Sequence, residues 1–269
     1  MRRKGRSTVA DDTPAPAQST KPVPMRRWRF WVGLVLVPVA LAILVSLGTW
    51  QVKRLYWKEA LIASIEERRQ APPMDMPAIE ALAAAGDDVD YRAAVAEGRF
   101  LHDKERHFLA TFQGQSGFYL YTPLQLKDGR YLFVNRGFVP YDRKQASSRP
   151  QSLIEGPVKV TGLARARLGE KPSSMVPDND EGRNIFFWKD LTRMAATTGL
   201  PDDKVLPFFL DADATPVPGG LPMGGVTQID LPNSHLQYAV TWYGLAVALL
   251  AVSIAGLFGR RKPPGASHS

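Results

Sequence analysis

Residues 30–50 read FWVGLVLVPVALAILVSLGTW, 21 positions without a charge, and this stretch decides what kind of protein the chain is. At 1.5 Å rise per residue, about 20 helical residues cross a hydrocarbon core of roughly 30 Å. Arg26, Arg27 and Arg29 precede the run, and Trp28, Trp31 and Trp50 suit the two lipid–water interfaces. Pro38 is tolerable because neighbouring groups in a membrane helix re-satisfy a freed carbonyl. The stretch reads poorly as a cleaved leader: it is long, and Gln51-Val52-Lys53-Arg54 after it offers no small-residue cleavage site.

A second apolar run, Leu236 to Gly259, ends at Arg260-Arg261-Lys262, and no Lys or Arg lies between Lys204 and Arg260. The positive-inside rule therefore places the C-terminus in the cytoplasm. Lys53, Arg54 and Lys58 make the first span less decisive by itself, but two spans put both termini on one side. The segment between them is expected on the outer face.

The distribution of charge agrees. The formal net charge is +8, yet residues 1–29 carry eight Lys/Arg against two Asp, and 260–269 carry three more basic residues. Residues 51–232 hold 23 basic and 24 acidic side chains. The excess sits beside the membrane, which excludes a basic groove for nucleic acid. Cysteine is absent, so neither a disulfide framework nor a thiolate metal site can form. Asp11 and Asp12 argue against an acid-poor mitochondrial transit peptide and favour a bacterial inner membrane. The expected organisation is a disordered basic cytoplasmic tail over 1–27, transmembrane helix 28–50, a periplasmic α+β domain over 51–232, transmembrane helix 236–259 and a basic cytoplasmic tail over 260–269.

Within the domain, Trp50, Arg54, Trp57 and Leu61 recur at helical spacing, and no breaker occurs before Ala71-Pro72-Pro73, so the first helix continues to Gln70. A second helix fits Pro77–Ala85, ended by Gly86, and a third fits Asp190–Thr198, stopped by Gly199 and Pro201. Phe118–Leu126 and Tyr131–Val139 are β-rich runs joined through Lys127-Asp128-Gly129-Arg130, a hairpin signal in which both central turn residues need positive φ. Further strands are predicted at Ala93–Phe100, Glu105–Phe112, Val158–Ala166 and Val205–Leu210. The sum is an antiparallel sheet or small barrel with short helices, flanked by two membrane helices.

No enzyme signature emerges. Gly114-Gln115-Ser116-Gly117 lacks nucleophile-elbow spacing, and no Walker loop or dinucleotide fingerprint occurs. Of four histidines, His268 lies in a tail, and His102 and His107 sit among charges and read as surface residues. His235 differs. It follows Asn233, a good N-cap, and so falls in the first turn of the second span. The positive end of the helix dipole disfavours imidazolium there and keeps a neutral nitrogen available. His235, Tyr238 and Trp242 share one helix face. Two readings stand: a ligand for a flat, partly apolar metallocofactor such as haem, or an interfacial histidine beside an ordinary aromatic belt. Trp50, Gln51 and Arg54 either face His235 across the helix pair or serve as interfacial anchors. Arg136 is a second oddity. Alternation puts it on one strand face with Leu132, Val134 and Phe138, so it needs an internal carboxylate or an anionic group on something bound.

Several separated motifs resemble the surfeit-locus family of cytochrome c oxidase assembly proteins. Leu47-Gly48-Thr49-Trp50-Gln51-Val52-Lys53-Arg54, with Trp57-Lys58 and Leu61-Ile62, resembles the family's exit from its first span. Gly117-Phe118-Tyr119, Thr122-Pro123-Leu124 and Val134-Asn135-Arg136-Gly137-Phe138-Val139-Pro140 resemble its central hairpin, with Phe138 where Trp is usual. Asn233-Ser234-His235-Leu236-Gln237-Tyr238-Ala239 with Thr241-Trp242 resembles its second-span signature, with Ser234 in place of the commoner Asn. The resemblance covers roughly residues 30–258. It implies a non-enzymatic assembly factor that delivers or stabilises haem a as the catalytic subunit of a haem–copper oxidase matures, with the haem a synthase as a possible further partner. By the same resemblance His235 is the candidate axial ligand; the mechanism expected from it has Tyr238 and Trp242 pack the ring and Arg54 or Arg136 meet the propionates, with Trp50 a further cofactor-binding candidate. A haem-free scaffold holding an assembly intermediate is the alternative.

Overall fold

The computed structural model describes residues 25–258 except Asp230; of residues 25–27, 29 and 30 it describes the backbone only. The tail expected to be disordered over 1–27 thus lies outside the described residues, apart from Met25–Arg27, which already belong to a helix. The basic tail 260–269 lies outside them as well. Two compact units emerge: one formed by the chain up to Leu55 together with the segment from Ser234, the other by Tyr56–Asn233.

The long helix α1 covers Met25–Gln70, running through Pro38 without interruption, and α4 covers His235–Phe258. Both are long and apolar enough to cross a membrane. Between them lies the β-rich domain. It contains α2 (Met76–Ala85), β1 (Ala93–Phe100), β2 (Arg106–Phe112), β3 (Gln115–Leu126), β4 (Tyr131–Pro140), β5 (Val158–Ala166), α3 (Leu191–Thr198) and β6 (Val205–Ala212).

The helices are bounded by the residues that local chemistry demands. Asp75 accepts from the Ala78 N–H at 3.0 Å and Gly86 closes α2 in the left-handed region. Asp190 and Gly199 do the same for α3. The β3–β4 turn is looser than the two-residue type expected. Only Gly129 has positive φ, and the Asp128 carboxylate accepts from the Arg130 N–H at 3.0 Å.

The strands run in the order β1-β5-β6-β4-β3-β2, and β1 pairs again with β3 through Gly98–Leu126, Arg99–Gln125 and Phe100–Leu124. That second pairing closes five strands into a barrel, with β2 continuing the sheet from β3. All neighbours are antiparallel except β4 and β6, which run parallel. Both faces of the central strands are covered. Leu132, Val134, Leu206, Phe208 and Leu210 fill the barrel interior with Ile79 of α2. The alternating residues Phe133 and Phe209 pack outward with Tyr121 under Leu191 and Met194 of α3. A strand buried on both faces loses the simple polar–apolar alternation of a half-exposed one.

One irregularity matters for Arg136. Tyr119 pairs with Phe138 and Tyr121 with Asn135, so Arg136 and Gly137 stand opposite the single residue Leu120. This bulge is made possible by Gly137, at φ 124°, where an added Cβ would lie 2.0 Å from the Met223 carbonyl oxygen. Beyond the bulge the phase changes. Phe138 packs edge-on to Tyr119 and against Phe112, away from Leu132 and Val134, contrary to strict alternation.

Candidate functional site on the helix pair

In α1, Gly48 and Gln51 are buried and Leu41, Leu44 and Leu55 are half-buried. In α4, His235, Ala239, Trp242, Ala246, Leu249 and Ser253 are less exposed than the residues between them. Both sets recur at steps of three and four, the spacing that keeps one stripe against a partner helix. Small residues permit close approach. A Cβ on Gly48 would come 2.9 Å from the Tyr243 ring. Thr49 Oγ1 donates to the Val45 carbonyl at 2.8 Å, so the Tyr243 hydroxyl donates to Thr49 Oγ1 at 3.1 Å.

His235 opens this seam. Tyr238 N–H donates to the Ser234 carbonyl at 3.2 Å, so α4 begins one residue later than an Asn233 cap implies, and His235 remains in its first turn. Its Nδ1 lies 2.8 Å from Gln51 Oε1. An amide oxygen only accepts, so in the neutral ring this contact calls for the proton on Nδ1 and leaves the lone pair to Nε2. Gln51, 8% exposed, is the residue that sequence reasoning left open between contact and anchor. The signal was present: Gln51 continues the Leu41, Leu44, Gly48 stripe.

The other expected residues separate. Trp242 shares the seam and is half-buried, whereas Tyr238 is 52% exposed on the flank of α4. Trp50 is 56% exposed and Arg54 is exposed.

Arg136 lies in the domain, 4% exposed. Its Nη2 donates to the Ser152 carbonyl at 2.6 Å and its Nη1 to His102 Nδ1 at 3.3 Å, and its guanidinium lies 4.9 Å from the Phe100 ring centre. No carboxylate forms an ion pair with it among the described residues. The buried carboxylate of that region, Glu105, pairs instead with Arg149 and accepts from His107 Nε2 at 2.9 Å. Burial draws the Arg136 pKa down to about 10, Arg149 adding to the effect and Glu105 opposing it. A cleft of about 290 Å³ includes Arg136, Phe100, Val160 and Val217 in its wall. His107 is buried and His102 half-buried, correcting the surface reading of both. Burial holds His102 below its ordinary pKa, and its Nε2 donates to the Ile154 carbonyl at 3.0 Å. Among the described residues no three His, Cys, Asp or Glu side chains are grouped to hold a metal ion.

Comparison with known proteins adds the lineage. Over 236 residues the chain is 39% identical to human "Surfeit locus protein 1", covering 81% of this chain and 74% of that protein. The protein of the same name from Takifugu rubripes is 36% identical over 80% of this chain and 91% of its own length. A "SURF1-like protein" of Monosiga brevicollis is 36% identical over 87% and 88%. Residues 39–247, which take in both the Gln51 and the His235 segments, match the SURF1 family as a whole. The chain belongs to the SURF1 family.

Proposed function

We propose that the chain is a membrane-anchored assembly factor for a haem–copper cytochrome c oxidase, and that it holds haem a transiently on His235 while the catalytic subunit matures. Family membership supports the assembly role. One observation carries the haem role: an imidazole in the first turn of an apolar helix, its Nδ1 engaged by Gln51 and its Nε2 left with the lone pair a metal needs. That donor fits a haem iron. Bound there, the haem would supply the cargo and no chemistry by the protein.

The chain's own residues bind and orient. His235 holds the axial position, Trp242 and Tyr238 offer ring faces, Trp50 adds a third, and Arg54 is the cation proposed for the carboxylates. The helices cross a bacterial inner membrane with both termini cytoplasmic, and the domain meets the catalytic subunit outside. Transfer then needs only a final site that binds haem more tightly than this one.

Wild type and His235→Ala, purified from cells making haem a but lacking the oxidase, are compared for Soret absorbance per protein. Haem in wild type and its loss in the variant are expected. Equal haem content removes His235 from the role, and haem-free wild type supports a scaffold instead.

A further inference from the structure

We propose that Gln51 is a positioning residue for His235: it fixes the imidazole as the Nδ1–H tautomer, points Nε2 outward as the iron-binding atom, and sets how strongly that nitrogen donates. The inference rests on the haem reading of His235, and it adds a residue on the other helix to that site.

A ring nitrogen 2.8 Å from an amide oxygen is at hydrogen-bond distance, and the oxygen can only accept. Gln51 is fixed in the α1 seam between Gly48 and Leu55, and His235 in the α4 seam one turn before Ala239. Water competes poorly for a carboxamide that is nine-tenths buried. Iron-ligating histidines generally use their second N–H in this manner, and the acceptor fixes ring orientation and raises ligand basicity. A neutral amide raises it less than a carboxylate does. The neighbouring alternatives do not serve: Trp50 is turned outward, and the Thr49 hydroxyl is taken up with Val45 and Tyr243.

Two experiments on the full chain in detergent test this. The first uses no haem. In ¹⁵N-histidine-labelled protein, the signals lost in His235→Ala identify the ring. Wild type is expected to show a protonated Nδ1 and an unprotonated Nε2, and Gln51→Leu to move the proton toward Nε2. An Nε2–H ring in wild type overturns the inference. The second titrates ferric haem b as probe. Gln51→Leu is expected to weaken binding about 10–100-fold. Gln51→Glu, whose carboxylate draws the Nδ1 proton, is expected to lower the iron midpoint potential below wild type. A purely structural Gln51 would shift melting temperature yet leave the Gln51→Glu potential unchanged, and that result refutes positioning. The two failures differ: full haem binding by His235→Ala defeats the ligand reading, whereas a defective His235→Ala beside unaltered Gln51 variants defeats only the role of Gln51.

Discussion

Glu105→Gln is expected to be among the most damaging conservative changes in the domain. The Glu105 carboxylate is buried against the buried Arg149 guanidinium and accepts from His107, while Arg136 nearby has only neutral acceptors. Removing the negative charge leaves two guanidinium groups inside the protein without a counterion. Breaking a buried pair from one side costs about 3–5 kcal/mol, a large share of the roughly 5–15 kcal/mol that holds a domain folded. At a urea dependence of roughly 2 kcal/mol/M this moves the unfolding midpoint down by about 1.5–2.5 M. The assay is pulse proteolysis of the full chain in detergent across a urea series, reading survival of the Tyr56–Asn233 region. Glu105→Gln with Arg149→Met is expected to recover much of the loss, because both members of the pair are then gone. A midpoint shift below about 0.5 M for Glu105→Gln, or a double variant worse than the sum of the singles, refutes the account of a charge network held by one carboxylate.

Other expectations follow from the same contacts. Burial pushes the Glu105 pKa up, but the His107 hydrogen bond and the Arg149 charge outweigh it, and the net value lies below the ordinary 4.5. The stability it contributes is therefore complete above pH 4.5 and lost as pH falls through the lower folded value; an acid titration of Glu105→Gln is expected to lack that arm. His102, held below 6.5 chiefly by burial and also by Arg136, favours the folded state fully above pH 6.5 and loses that contribution as pH falls, so a melting series from pH 7 to 5 is expected to slope downward in wild type and less in His102→Gln. Gly137→Ala combines positive φ with a clash against the Met223 carbonyl; strain of about 1–3 kcal/mol plus the clash lowers the urea midpoint well beyond that of Gly86→Ala, where positive φ acts without a neighbour. Gly48→Val drives a side chain into the Tyr243 ring, an overpacking cost of about 1–3 kcal/mol, and is expected to lower the thermal midpoint of the full chain in detergent, while Gly33→Val, which meets nothing, leaves it unchanged.

Local signals read well from the sequence because their causes are local. Asp75 with Gly86, Asp190 with Gly199, and Asp128-Gly129 each act within a few residues of where they stand, and the elements they bound fall where expected. The barrel closure is different. The β1–β3 and parallel β4–β6 pairings join segments far apart in the chain, and no residue announces them. Phe138 falls on the opposite face from Leu132 and Val134 because the extra residue at the Arg136–Gly137 bulge shifts everything after it by one face, which alternation cannot foresee. His102 and His107 read as surface residues because Asp103, Lys104, Glu105 and Arg106 surround them in sequence. In space Arg149 and Ile154, from the loop after β4, reach Glu105 and His102. Gln51 was legible in principle: a helix turns about 100° per residue, so only the stripe of Leu41, Leu44 and Gly48 could say whether Trp50, Gln51 or Arg54 faces α4.

On the haem reading proposed above, a carrier differs from a resident haem protein in having to let go, and the chemistry around His235 bears on that difference. An imidazole backed by a carboxylate acquires imidazolate character and holds ferric iron firmly; one backed by a neutral amide is a weaker donor with the same orientation. Gln51 supplies direction without charge. The other described histidines, His102 and His107, are both committed inside the domain, so neither supplies a second strong donor. Gln51→Glu is then expected to tighten ferric haem binding and to slow its transfer to an apo-acceptor such as apomyoglobin, while wild type gives haem up faster. Equal transfer rates for the two, with tighter binding by the variant, would place the control of release elsewhere in the protein.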